Sequence, residues 1–184
     1  MVEQLDVVGD GRAPRNAVHR KGLLHRAVLI LVFNKKGEVF VQQRARTKDV
    51  SPLLYEASLS GHVRAGESVI EAAVRELKEE LGIKASAKQL RKLFVAAVHE
   101  LPEHEDITVY RMVTDRTPRL GKEVRTGAFM PMGVLDALAS DKGIFTPVFS
   151  SLLPRLRPFL GVRGRPRQGR GTPAAPRRRA RASA

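Results

Sequence analysis

The chain has 184 residues, 42% of them hydrophobic, a formal net charge of +14 and no cysteine. That length supports one well-buried domain and not two, and the missing cysteines exclude disulfides, thiolate metal sites and a thiol nucleophile. No run approaches the ~18 apolar residues of a membrane span, and the opening "MVEQLDVVGDGR" lacks the basic-then-apolar pattern of a secretory signal, so the expectation is a cytoplasmic protein with no membrane partner.

In chain order, "HRAVLILVF" (residues 25–33) reads as a buried strand, "NKKG" as a turn and "EVFVQQR" (residues 38–44) as the partner of a hairpin. A loop containing Pro52 leads to short extended pieces over 57–63. The next helix has clear punctuation. Ser68 and Glu71 form the S-x-x-E capping pattern, Gly82 supplies the left-handed stop, and Ile70, Ala73, Val74, Leu77 and Leu81 form an apolar stripe. Further strands are expected over 93–101, 106–114 and near 127–130. Pro131 and Pro147 mark the starts of two last helices, the second running over 146–160 with a bend at Pro154. Hairpins with helices on both sides predict an α+β fold rather than a regularly alternating parallel one.

The charge is uneven. Residues 161–184 hold eight arginines, no acid and no large apolar residue after Val162, leaving +6 on the rest of the chain. Such a segment buries almost nothing and is expected to be a disordered Arg-rich tail beyond a domain of residues 1–160. It would bind nucleic acid weakly and non-specifically at most, because no aromatic residues are interleaved for base stacking. A solvated tail is the plainer reading.

Against that basic background, "RELKEE" concentrates acid. Glu76, Glu79 and Glu80 lie at i, i+3 and i+4, which places their carboxylates on one helix face, expected opposite the Leu77 and Leu81 stripe. Three carboxylates so close repel one another, and a hard divalent cation with oxygen ligands, Mg²⁺ or Mn²⁺, would hold them ionised and bridge to a diphosphate. The alternative is a solvated face in which Arg75 pairs with Glu79. The wider spacing decides between them: Gly61, five residues, Glu67, seven residues, Arg75, Glu76, an apolar residue, one residue, Glu79, Glu80, one residue, Gly82 and an apolar residue. This matches the Nudix box at every fixed position, and the chain resembles the Nudix hydrolases over roughly residues 3–160.

That resemblance implies an α/β/α sandwich around a mixed β-sheet and a metal-dependent hydrolysis of a diphosphate linkage. It implies that Glu76, Glu79 and Glu80, with the main-chain carbonyl of Gly61, bind the metal, and that Arg75 and Glu67 form the ion pair fixing loop to helix. It implies a general base that is either Glu79 or the later Glu123. "HRKGLLHRAVLILVFNKKGEVFVQQRARTKD" and "SLSGHVRAGES" are similar to the branch that includes isopentenyl-diphosphate isomerase and its hydrolase relatives. The isomerase carries a catalytic cysteine where this chain has Ser60, and a metal site whose counterparts here are His19, His25, His62, Glu103 and Glu105. The absent thiol and the intact box argue for hydrolysis.

For the substrate, Arg44, Arg46 and Lys48 are candidate phosphate contacts, and Tyr55 and Phe129 could stack on a base or pack in the core. A nucleoside diphosphate or derivative is the default small-molecule partner; a prenyl or other small diphosphate stays open, as do a non-catalytic binding role and a homodimer.

Overall fold

The computed structural model describes residues 2–9, 11–100, 103–141 and 143–160. The tail expected over 161–184 and the strand end expected at Leu101 lie outside the described residues. In chain order the elements are β1 (Gln4–Val7), β2 (Gly11–Pro14), α1 (Arg15–Lys21), β3 (His25–Phe33), β4 (Val39–Arg44), β5 (Tyr55–Ala57), β6 (Leu59–His62), α2 (Val69–Leu81), β7 (Arg91–Glu100), β8 (Glu103–Val113), β9 (Val124–Met130), α3 (Met132–Ala139) and α4 (Pro147–Leu156).

β3 explains the layering. Its residues from Ala27 to Phe33 are all buried, without the alternation of a half-solvated strand, because both faces of the sheet are covered. Ala27, Leu29, Leu31 and Phe33 pack with Leu135 of α3 and Phe149, Leu152 and Leu156 of α4. Val28, Ile30 and Val32 pack with Ala72, Ala73, Leu77 and Leu81 of α2. The result is the expected sandwich of helices about a mixed sheet, with β3 parallel to β8 along its whole length and antiparallel to its other neighbours.

The expected hairpin is corrected by the register. β3 and β4 pair only at Phe33 and Val39, next to the turn. Beyond that point they part: β4 pairs with β5 and β9, while β3 takes β6 and β8. The edges that a longer hairpin would use are taken by other strands, β6 along Ala27–Ile30 and β5 along Val41–Gln43. Ser58 fills the fork. Held at φ 49°, it donates its N–H to Phe40 O at 2.8 Å, donates its hydroxyl to the same oxygen at 2.9 Å, and accepts from Val32 N–H at 2.7 Å.

α2 has the predicted ends. Ser68 Oγ accepts from Glu71 N–H and the Glu71 carboxylate accepts from Ser68 N–H. Gly82 sits at φ 63°, and Ile83 N–H reaches back to Leu77 O at 3.0 Å. Ile70 and Val74 are only half-buried, so the apolar face is centred on Ala72, Ala73, Leu77 and Leu81. α4 is capped by Thr146 and contains Pro154, but its α-helical part ends at Leu156 and Arg157–Phe159 continue as a 3-10 turn. The β1–β2 hairpin and α1 have no counterpart in the sequence expectation. They make a small third core from Leu5, Val7 and Val18, and α1 carries Arg15 and His19 towards the sheet.

Candidate active site

Of Glu76, Glu79 and Glu80, only Glu79 faces away from the apolar stripe. Glu76 and Glu80 continue the row begun by Ala72, at i+4 and i+8, so they flank Leu77 and turn under the sheet. Glu80 is 4% exposed, whereas the Glu79 side chain is 47% exposed. The Glu76 carboxyl lies against Gly61, where an added Cβ would come within 2.3 Å of Glu76 Cδ. Only glycine lets the carboxylate approach the β6 backbone so closely.

Arg75 organises the entry to this face. Its Nε and Nη2 donate to the two oxygens of Glu67 at 2.9 and 2.8 Å, Nη2 also donates to His62 O at 2.9 Å, and Nη1 donates to Glu76 at 2.6 Å and Glu79 at 3.3 Å. Loop and helix are thereby tied together. Burial raises the Glu76 carboxyl to about 7 against the pull of Arg75. Burial, reinforced by the nearby Glu56 carboxylate, also pushes Glu80 upward. Glu67 goes the other way: burial opposes it, but the two Arg75 bonds hold it below the usual range. Glu76 and Glu80 are thus pushed towards the protonated form, and with Glu79 and the Gly61 carbonyl they offer an all-oxygen donor set that suits a hard dication.

These residues border a cavity of about 660 Å³. Gly61, Glu76, Glu79 and Glu80 line one side; Arg15, Arg44, Lys48 and Lys122 supply cations elsewhere on its wall. Arg44 is 7% exposed, donating from Nη1 to Glu56 at 2.9 Å and from Nε and Nη2 to Val50 O. Arg15 makes a two-pronged pair with Asp49 at 2.5 and 3.0 Å.

Glu123 reaches the cavity because its loop rides on the end of α2. Arg119 N–H and Gly121 N–H donate to Leu81 O and Glu80 O, satisfying terminal helix carbonyls. A Cβ on Gly121 would lie 2.2 Å from Glu79 O. Glu123 is ion-paired with Lys48, which overcomes burial and holds its carboxyl below the usual range.

Two expected substrate contacts lie elsewhere. Arg46 is exposed and does not line the cavity, and Tyr55 packs on the core beneath α4 while its backbone bonds Ile144 and Thr146. Arg46 lies beyond the end of β4 at Arg44, in the turn that follows, and alternation along β5 aims Glu56 rather than Tyr55 at the site. Phe129 packs edge-on against Phe40, 5.3 Å between ring centres. Sequence reasoning missed Gln42 and Glu56, polar residues buried next to Val41 in β4 and between Tyr55 and Ala57 in β5, and that placement beside apolar neighbours is the signal that could have found them.

A second cluster adjoins the first. His19 of α1, His25 of β3 and His62 of β6 bring ring nitrogens within 4.8 Å of one another. Glu105 of β8 joins them, 3.3 Å from both His25 Nε2 and His62 Nε2. His25 Nδ1 sits 2.9 Å from Leu23 O, which fixes Nδ1 as the N–H donor and turns Nε2 inward. Burial, then the neighbouring His62, lowers His19 to about 4. Burial alone would raise Glu105, but the facing imidazoles of His25 and His62 bring it to about 2. Three imidazoles and a carboxylate make a set suited to a borderline transition metal. The Glu103 side chain lies outside the described part of the chain.

The NUDIX domain model matches residues 23–149. Isopentenyl-diphosphate Delta-isomerase of Serratia proteamaculans is 40% identical over 111 residues, 59% of this chain and 62% of that protein, so the chain spans less than two thirds of that relative's length. The isopentenyl-diphosphate Delta-isomerase of Nocardia farcinica is 35% identical over 160 residues, 83% of this chain and 91% of that one. Among solved structures, DR0079 from Deinococcus radiodurans superposes with a TM-score of 0.70 at 25% identity, covering 83% of this chain and 98% of its own.

Proposed function

The chain belongs to the NUDIX domain family, and from that premise we propose that it is a Mg²⁺- or Mn²⁺-dependent hydrolase of a diphosphate linkage, with a nucleoside diphosphate or derivative as substrate. The carrying observation is that Glu80 is buried and the Glu76 side chain only 13% exposed, beside Glu79 and against Gly61, on a cavity that Arg15, Arg44, Lys48 and Lys122 also line. Bound by those glutamates and the Gly61 carbonyl, the metal would polarise the diphosphate and lower the pKa of a water. The chain's own residues do the rest. Arg15, Arg44 and Lys48 take phosphate oxygens, and Glu67 and Arg75 keep β6 and α2 in register. Glu123, once a phosphate draws Lys48 away, or else Glu79, accepts the proton of the attacking water.

The isomerase reading is favoured by the His19, His25, His62 and Glu105 cluster and by the names of the two relatives. Against it stands Ser60, whose hydroxyl is a poor proton donor or acceptor at neutral pH without the thiol's low pKa. Incubation in ¹⁸O-labelled water separates the two. Labelled phosphate-containing product from a diphosphate panel, abolished by EDTA, is expected. Conversion of isopentenyl to dimethylallyl diphosphate with no label entering phosphate would overturn hydrolysis. Residues 1–160 are proposed to suffice for turnover: deletion of 161–184 should leave it within about twofold while removing salt-sensitive RNA binding, and RNA binding that survives the deletion would refute the assignment of that contact to the tail.

A further inference from the structure

Three buried carboxylates line the cavity: Glu105 faces the histidines, and of the other two the hydrolysis described above uses only one. Glu80 belongs to the box on α2; Glu56, 3% exposed, belongs to no motif. Glu56 lies directly across from Gln42 in the β4–β5 ladder. That pairing puts the Gln42 amide between the two acids, with Nε2 2.8 Å from Glu80 Oε2 and 3.3 Å from Glu56 Oε1. Glu56 Oε1 also accepts from Arg44 Nη1 at 2.9 Å, and Oε2 accepts from Ser60 Oγ at 2.8 Å.

A counterion for Arg44 would need none of the other two contacts. Here each oxygen of Glu56 has a separate duty. One draws Arg44 and the Gln42 amide together; the other accepts a hydrogen bond from the Ser60 hydroxyl and so fixes its direction. With its proton committed, Ser60 Oγ keeps only lone pairs for the cavity it lines, and presents an acceptor to a water or substrate hydroxyl. Carboxylates that bind metals are oriented by such partners, whose loss costs metal affinity even when every ligand is intact.

We propose that Glu56 is a positioning residue for the metal centre: it holds Gln42 against Glu80, and Arg44 and Ser60 against the cavity, in one fixed arrangement. This rests on the reading of Glu76, Glu79 and Glu80 as that centre. The test is calorimetric titration of Mn²⁺ into the full chain, together with kcat and KM for a diphosphate substrate. Glu56→Gln is expected to weaken Mn²⁺ binding by about tenfold or more and to lower kcat with KM little changed. Gln42→Met should show the same loss, and the double variant should be within about twofold of the weaker single one, because both act through one contact. A residue that merely stabilises the fold would lower Tm and leave the Mn²⁺ affinity of the folded protein alone. Glu56→Gln strips Arg44 of its buried counterion, so should that variant not fold, Gln42→Met carries the test. Mn²⁺ affinity within about twofold of wild type in whichever of these variants folds overturns the proposal alone. Wild-type protein that takes up no Mn²⁺ overturns the metal centre and the proposal with it.

Discussion

The acid face of α2 and the histidine cluster meet at one cavity, which the cluster reaches through His62 and Glu105, but they are made in opposite ways. Glu76, Glu79 and Glu80 come from five consecutive residues of one helix, and their proximity is guaranteed by helical spacing before any tertiary contact forms. His19, His25, His62 and Glu105 come from four elements and meet only because β3 pairs with β6 and β8 in one register, His25 lying opposite Glu105. The electrostatics diverge too. Glu76 and Glu80 are pushed towards protonation, so they need an added cation, while Glu105 already has two imidazoles and stays ionised. A local cluster with unmet charge is a site waiting for a metal; a distributed cluster whose groups partly satisfy one another can also serve as architecture.

The sharpest way to break this contrast is Glu80→Gln, which preserves shape and removes one charge. Activity should fall by about 10²-fold or more, equivalent to about 3 kcal/mol of transition-state stabilisation, and a drop of less than about fivefold would put Glu80 outside the reaction. Gly121→Ala comes next. The new methyl would collide with Glu79 O and lift the Glu123 loop from α2, so kcat should fall about tenfold with metal affinity unchanged. Unaltered kcat would show that Glu123 has no part in turnover.

pH tests the difference in unmet charge. The folded-state pKa of Glu76 is raised, so the native state binds the extra proton between its ordinary value and about 7, and metal-free stability should decline as pH rises through that window, by on the order of 3 kcal/mol at most. Bound Mg²⁺ stabilises the ionised form, so the Tm gain on adding it should grow from pH 5 to pH 8. A gain independent of pH, followed by differential scanning fluorimetry, would contradict the burial argument. The smallest effect concerns the histidines: His19→Gln should shrink the Tm gain given by Co²⁺ while leaving that given by Mg²⁺ in place. Equal loss of both responses would mean the two clusters are one centre.

The same division explains what the sequence made legible. The ends of α2, its capping box and the Gly61 to Ile83 spacing depend on neighbours within one or two turns, and they were readable as written. Histidine positions could be named only through resemblance, since nothing local to His19 points at His62. Gln42 and Glu56 could have been picked out one at a time as polar residues beside apolar ones, but that they meet is a property of the β4–β5 register. The hairpin was half right for a related reason. The turn at Asn34 to Gly37 is local, but the parting of β3 from β4 is decided by which distant strands compete for their edges. The β1–β2–α1 unit escaped notice because its strands are four residues each, too short for a period to register.

The Ser58 fork has one more consequence. The eight residues Tyr55 to His62 run from one ladder to the other through that single left-handed serine, with Glu56 on one side and Ser60, Gly61 and His62 on the other. They are teeth on one key. An insertion or deletion of one residue there would flip the inward set outward and misalign the acid face and the imidazoles together. The connection at 45–54, by contrast, only has to bring its ends to β4 and β5. Divergence in length should therefore collect in that outer connection, and the short segment through Ser58 should change by substitution alone.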